Sequence, residues 1–69
     1  ELEKGAVDAA IIRLQKLDMP EAWNNLGVAY LMKQEYEKGG EYLEKAINAG
    51  IQTAVYNMGQ LAAWLKTQE

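Results

Sequence analysis

The chain has 69 residues, ten acidic against seven basic side chains, a net charge of −3, and no cysteine or histidine. Disulfides, thiolate or imidazole metal sites and histidine chemistry are therefore excluded, and one small domain is the most that this length can build. Lys4, Arg13, Lys16, Lys33, Lys38, Lys45 and Lys66 are scattered singly, which is the pattern of solvated helix faces rather than the clustered cationic surface that nucleic acid or anionic lipid requires.

Hydrophobic residues make up 49% of the chain, enough to argue against disorder. Their uninterrupted runs span only a few positions, so no segment reads as membrane-inserting. A basic leader followed by an apolar stretch and a small-residue cleavage site is not visible.

Four segments carry helical spacing. The first, from about Leu2 to Leu17, sets Val7, Ala10, Ile11, Leu14 and Leu17 on one stripe. Asp18-Met19-Pro20 interrupts it, with Asp18 placed as an N-cap and Pro20 suited to the first turn of the next helix. The second segment, about Pro20 to Lys33, should turn Trp23, Leu26, Gly27, Tyr30 and Leu31 inward, with Lys33 favourably placed against its carboxyl-end dipole. The third, about Tyr36 to Ala49, presents Tyr36, Leu43, Ala46 and Ile47 inward. Its outer face carries Glu37, Glu41, Glu44 and Lys45, with Glu41 and Lys45 spaced for an ion pair. Gly50 should terminate it. The fourth segment should begin near Thr53, a usable N-cap, and run to about Lys66. Linkers of two to four residues require consecutive helices to run antiparallel.

Within these segments the chain nearly repeats itself. Ala22-Trp23-Asn24-Asn25-Leu26-Gly27-Val28-Ala29-Tyr30 recurs loosely 32 residues later as Ala54-Val55-Tyr56-Asn57-Met58-Gly59-Gln60-Leu61-Ala62, and Glu3-Lys4-Gly5 is echoed by Glu37-Lys38-Gly39. Periods of this size mark stacked units too small to bury their own apolar faces alone. Gly27 and Gly59 fall mid-helix and Gly39 and Gly40 in early turns, each interior glycine costing about 1 kcal/mol relative to alanine. The recurrence of Gly27 as Gly59 points to close backbone approach as the return for that cost.

Trp23-x-x-Leu26-Gly27-x-x-Tyr30, continued by Gly39, Leu43 and Ala46, resembles a tetratricopeptide repeat, a helix–turn–helix unit that stacks into a superhelix. Gly39 stands where a small alanine is usual, Leu43 where an aromatic is usual, and Ile51 where proline is customary. The stretch Lys45-Ala46-Ile47-x-x-Gly50-x-x-x-Ala54-x-x-x-Met58-Gly59 looks like the junction of the related Sel1-like repeats. The resemblance runs from about Glu3 onward and implies an all-α solenoid of antiparallel helical hairpins. Residues 1–19 would be a half repeat, 20–51 a full repeat, and 52–69 a further half repeat or a terminal cap. Val55 and Ala62 in place of Trp23 and Tyr30 favour the cap, while Trp64 and Leu65 count against it.

The sequence offers little to an enzyme. Serine is absent, Thr53, Thr67 and the tyrosines have no base at a motif spacing, and Glu37, Glu41 and Glu44 lie along one outer face. Gly39-Gly40 lacks both the strand and the Lys-Ser/Thr of a phosphate cradle. A catalytic role, a cofactor and a metal are accordingly not expected.

The resemblance implies instead a groove lined by the front helix of each unit. From the second segment it would take Glu21, Asn24, Asn25, Val28, Leu31 and Met32, and from the fourth Thr53, Tyr56, Asn57, Gln60, Ala63 and Trp64. Asn25 and Asn57, at equivalent places, either hold a peptide backbone or are plain surface amides. Family members that clamp an acidic carboxyl terminus use Lys or Arg beside such asparagines. None occurs between Pro20 and Met32 or between Ile51 and Leu65. A peptide or protein segment contacting Val28, Leu31, Met32, Tyr56 and Trp64 through apolar surface fits better. Met32 and Trp64 also suit core packing or an end cover. The competing expectation is an architectural or self-associating segment, with a homodimer as one outcome.

Overall fold

The computed structural model describes residues 2–67, with side chains described from Gly5 onward. The lysine and glutamate of the Glu3-Lys4-Gly5 echo therefore lie outside the described side chains. All the regular structure among the described residues is helical: α1 (Leu2–Gln15), α2 (Pro20–Met32), α3 (Tyr36–Asn48) and α4 (Gln52–Thr67). None of these helices is long and apolar enough to cross a membrane.

The turns show why the helices stop where they do. Gly50 has φ +90°, and its N–H reaches the Ile47 carbonyl at 2.9 Å while that of Ile51 reaches Ala46 at 3.0 Å. This is the paired bonding that closes a helix through one left-handed residue, as expected for Gly50. The same pattern ends α2, with Gln34 N–H on Leu31 and Glu35 N–H on Tyr30, both at 2.9 Å. There the left-handed position is taken by Gln34, at φ 65°. Pro20 occupies the first turn of α2, but the cap is Met19, which makes no side-chain capping bond, so Asp18 is not used. Likewise α4 starts at Gln52, one residue before Thr53, whose hydroxyl serves another helix instead. Helix α1 stops at Gln15, and Leu17, expected on its buried stripe, is exposed in the turn.

Contacts fix the directions. Between α2 and α3, Leu31 meets Gly39, Tyr30 stacks on Tyr42 with ring centroids 5.6 Å apart, Gly27 meets Leu43, and Trp23 lies beneath Lys45. One helix descends as the other ascends. Between α3 and α4, Gly40 approaches Leu61 while Ala46 packs with Ala54, again antiparallel. Helices α2 and α4 run in the same direction, Asn24 meeting Asn57 near their starts and Leu31 sharing a cleft with Trp64 near their ends. The result is a slab of 32 × 32 × 15 Å, about two helices deep at the usual interaxial spacing of ~8–10 Å.

Helix α2 is the hub, touching all three others. One core cluster joins Ile11, Leu26, Ala29 and Tyr30, supported by Val7, Leu14, Trp23 and Tyr42. The second joins Leu43, Ala46 and Ala54, supported by Trp23, Leu31, Ile47, Ile51 and Met58. Trp23 belongs to both, so its indole ties the α1–α2 side to the α3–α4 side. Ala22 and Ala29, outside the expected stripe, are buried as well.

The two central glycines behave as close approach requires. A Cβ on Gly27 would lie 2.7 Å from Leu43 Cγ and 3.0 Å from the Gly39 carbonyl oxygen, and one on Gly39 would meet Leu31 and the Gly27 carbonyl oxygen. Gly59 departs from the expectation drawn from Gly27, since a Cβ there would meet nothing within 4 Å. No helix packs on that face of α4, so the backbone is not approached. The expected Glu41–Lys45 pair is also absent. The Lys45 ammonium sits 4.6 Å from the centroid of the Trp23 ring instead, where the ring quadrupole attracts it.

Candidate functional site

Two open clefts flank the C-terminal half of α2, and eight of the nine candidate residues line one or both. The first, about 430 Å³, lies between the α2–α3 turn and the end of α4 and is lined by Leu31, Met32, Gln34, Tyr36, Gln60, Leu61 and Trp64. The second, about 410 Å³, lies between α1 and α2 with one residue from α4: Ala6, Val7, Ala10, Leu14, Asn24, Asn25, Val28, Ala29, Met32 and Asn57. Both fall within the ~300–1,000 Å³ typical of ligand pockets. Met32 is 63% exposed and lines both, forming the ridge between them.

The single continuous groove expected from the α2 and α4 faces is thus two adjoining clefts. Tyr56 belongs to neither and is 67% exposed. Glu21 and Ala63 also lie on the open surface outside both clefts.

The asparagines divide in role. Asn24 is committed to holding two helices together: its Oδ1 accepts from Asn57 Nδ2 at 3.0 Å and its Nδ2 donates to Thr53 Oγ1 at 3.2 Å. Asn57 keeps one amide proton and its carbonyl oxygen for other use, while Asn25 is exposed and forms no side-chain hydrogen bond within the described residues. The two asparagines at repeat-equivalent positions are therefore unequal, since Asn57 doubles as an α4 anchor.

Several wall residues carry no sequence signal for a site. Val7, Ala10 and Leu14 read as part of one core stripe yet stay half-buried, and Ala6, outside that stripe, is exposed, because no further helix of the described residues covers that side of α1. Gln34 reads as a plain linker residue until its left-handed backbone is known. Tyr36 reads as inward and lies half-buried on the rim of the first cleft.

Charge stays at the margins, for no charged side chain lines either cleft. Lys33, at the end of α2, reaches across to Asp8 of α1 at 2.8 Å and to Glu35 at 3.6 Å, and Lys38 lies 4.0 Å from Glu35. The hydrogen bond to Asp8 raises the Lys33 ammonium above its ordinary pKa, the attraction of Asp8 and Glu35 adding to it against a desolvation penalty. Among the described residues, no group of three or more acidic side chains converges as a metal site would require. Such a surface can seat apolar and neutral polar groups but supplies no ion to clamp.

Set against protein-family models, curated proteins and solved structures, the chain matches none of them.

Proposed function

We propose that the chain is a tetratricopeptide-like helical-hairpin module that binds a segment of another protein in the clefts beside α2, without catalysis and without a cofactor. The observation that carries the reading is the pair of uncharged, largely apolar clefts meeting at an exposed methionine. Methionine adapts its shape to varied partners, and contiguous exposed apolar surface marks contact sites. The hairpin arrangement is supported by the Gly27–Gly39 approach and by α2 and α4 running parallel with their sequences offset by the repeat shift.

Selection of random displayed peptides on the immobilised chain tests this. Enriched peptides should lose binding to Leu31→Asp and Met32→Asp variants, each of which puts a charge in a cleft. Failure to enrich, or binding indifferent to both variants, refutes the role.

A second reading rests on a different face. On α4, Val55, Gly59 and Ala62 form a stripe equivalent to Trp23, Gly27 and Tyr30 of α2, yet it is uncovered, with Val55 55% exposed. That stripe favours an architectural role in which α4 stacks on a further helix or on a second copy. Light scattering across concentration separates the two: a dimer dissolved by Val55→Lys supports the architectural role.

A further inference from the structure

We propose that copies of this chain associate head to tail, α4 of one copy seated in the second cleft, between α1 and α2 of the next, an inference that rests on the architectural reading and fixes its partner and register. The 32-residue shift that relates α4 to α2 also relates α3 to α1, and burial follows it. Ile11 and its counterpart Leu43 are both buried, as are Ala22 with Ala54 and Ala29 with Leu61. Helix α1 thus covers on α2 the face that α3 covers on α4. The contact of α2 on α3, by contrast, occurs once. It presses Gly27 on Leu43, stacks Tyr30 on Tyr42 and sets Leu31 against Gly39. The counterparts are Gly59, Ala62 and Ala63 on α4, all exposed, and Ile11, Ala10 and Val7 on α1. Within one chain α1 and α4 lie apart, so these two halves of a contact stay unmatched.

A second copy matches them. With α4 of one copy laid on α1 of the next as α2 lies on α3, Gly59 meets Ile11, a branched side chain against bare backbone, as Leu43 meets Gly27. Ala62 meets Ala10 where Tyr30 meets Tyr42, and small residues at the contact let helices approach closely. A mid-helix glycine weakens its helix, and within one chain nothing approaches Gly59 to offset that loss. The seat itself is uncharged, with Val7, Ala10 and Leu14 on its α1 wall and Asn25, Val28 and Met32 on its α2 wall. That α2 wall is the counterpart of Asn57, Gln60 and Trp64, the residues by which α4 lies beside α2. Asn57 bonds Asn24 there; in the seat Asn25, the counterpart of Asn57, meets Tyr56, the counterpart of Asn24. Asn25 forms no side-chain hydrogen bond within the described residues, and Tyr56 is 67% exposed, its hydroxyl able to donate and accept. What commits the seat to a second copy is that one chain carries both halves of the contact. Because those halves differ, the contact is heterologous, and each added copy leaves one free α1 and one free α4. Association then runs past the dimer.

Sedimentation velocity of the 69-residue chain across concentration tests this, and the weight-average mass of the parent should climb past that of a dimer. Val55→Lys on the α4 stripe would face Arg13 of the next copy as Trp23 faces Lys45, and Ala10→Lys puts a charge in the seat. Each should weaken association by roughly tenfold or more, while the unfolding midpoint of the dilute chain stays near that of the parent. Ala6→Lys, at an exposed place on the same wall, replaces Ala10→Lys should the latter lower that midpoint. The decisive sample is the two variants mixed. The intact α4 of the Ala10→Lys chain fits the intact seat of the Val55→Lys chain, so the mixture should form a dimer and nothing larger. Association that Val55→Lys abolishes and the mixture fails to restore, as a symmetric α4–α4 contact would give, overturns the proposal and leaves the architectural reading standing. A parent that stays monomeric at every concentration overturns it too, and then the seat belongs to a further helix or a foreign segment and a second copy drops out of that reading.

Discussion

Alanine at Gly27 and alanine at Gly59 should change stability in opposite directions, although the two positions occupy matching places in the repeated sequence. In an exposed helix interior, alanine gains about 1 kcal/mol over glycine. At Gly59 the new methyl enters open space, so the whole gain should appear, raising the unfolding midpoint by about 4–8 °C for a domain of this size. At Gly27 the same methyl would sit 2.7 Å from Leu43 Cγ, 2.8 Å from its Cδ2 and 3.0 Å from the Gly39 carbonyl oxygen. Leu43 is fully buried, so its branch point cannot swing clear, and the carbonyl belongs to helical backbone. Overpacking of that kind costs ~1–3 kcal/mol. Against the propensity gain, the net should be a loss of about 1 kcal/mol, which puts the two variants about 2 kcal/mol apart. Thermal and urea unfolding followed by far-ultraviolet circular dichroism measures the difference. Leu43→Ala in the Gly27→Ala background should recover part of the loss relative to additivity, since it removes the obstructing branch. Equal stabilisation by the two glycine replacements would refute the claim that the α2–α3 contact depends on a missing side chain.

Gln34→Gly should stabilise the fold by about 1 kcal/mol, because glycine enters the left-handed region without the Cβ penalty; thermal unfolding of the two chains side by side reads the difference, and an unchanged or lower midpoint would contradict it. The Lys33 pKa is raised by Asp8 and Glu35, so its contribution is complete below the unfolded value of about 10.4 and is lost as pH climbs through the higher folded value. An alkaline series of unfolding midpoints should therefore fall more steeply for the parent than for Lys33→Met, and a parallel slope would contradict the cross-helix ion pair.

Much of the helical layout was legible because its signals are local. Pro20 at a helix start and Gly50 at a helix end act through their own φ preferences. The Leu26, Gly27, Tyr30, Leu43 and Ala46 positions follow from periodicity, which burial then matches. Local chemistry misled where a tertiary partner outbid it. Thr53 was free to cap α4 until Asn24 supplied a hydrogen bond across the helices, and Lys45 left Glu41 for the face of Trp23. The site residues were legible in part. Their helical faces are set by spacing, but whether Met32 bounds one groove or two depends on where α1 lies, which no local signal states.

By itself the sequence determined that four short helices form, where their turns fall, which stripe of each is apolar, and that no cysteine or histidine chemistry is available. These follow from backbone preferences and side-chain period, properties that a segment carries whatever it packs against. Only the tertiary structure decided that Gly27 is pressed by its neighbour while Gly59 is open, that Asn24 is consumed in anchoring α4, and that Gln34 lends a strained backbone to a cleft rim. The reason is physical: each of these depends on the distance between atoms far apart in the chain, and near-identical local sequences acquire different roles once one is covered by a helix and the other is not.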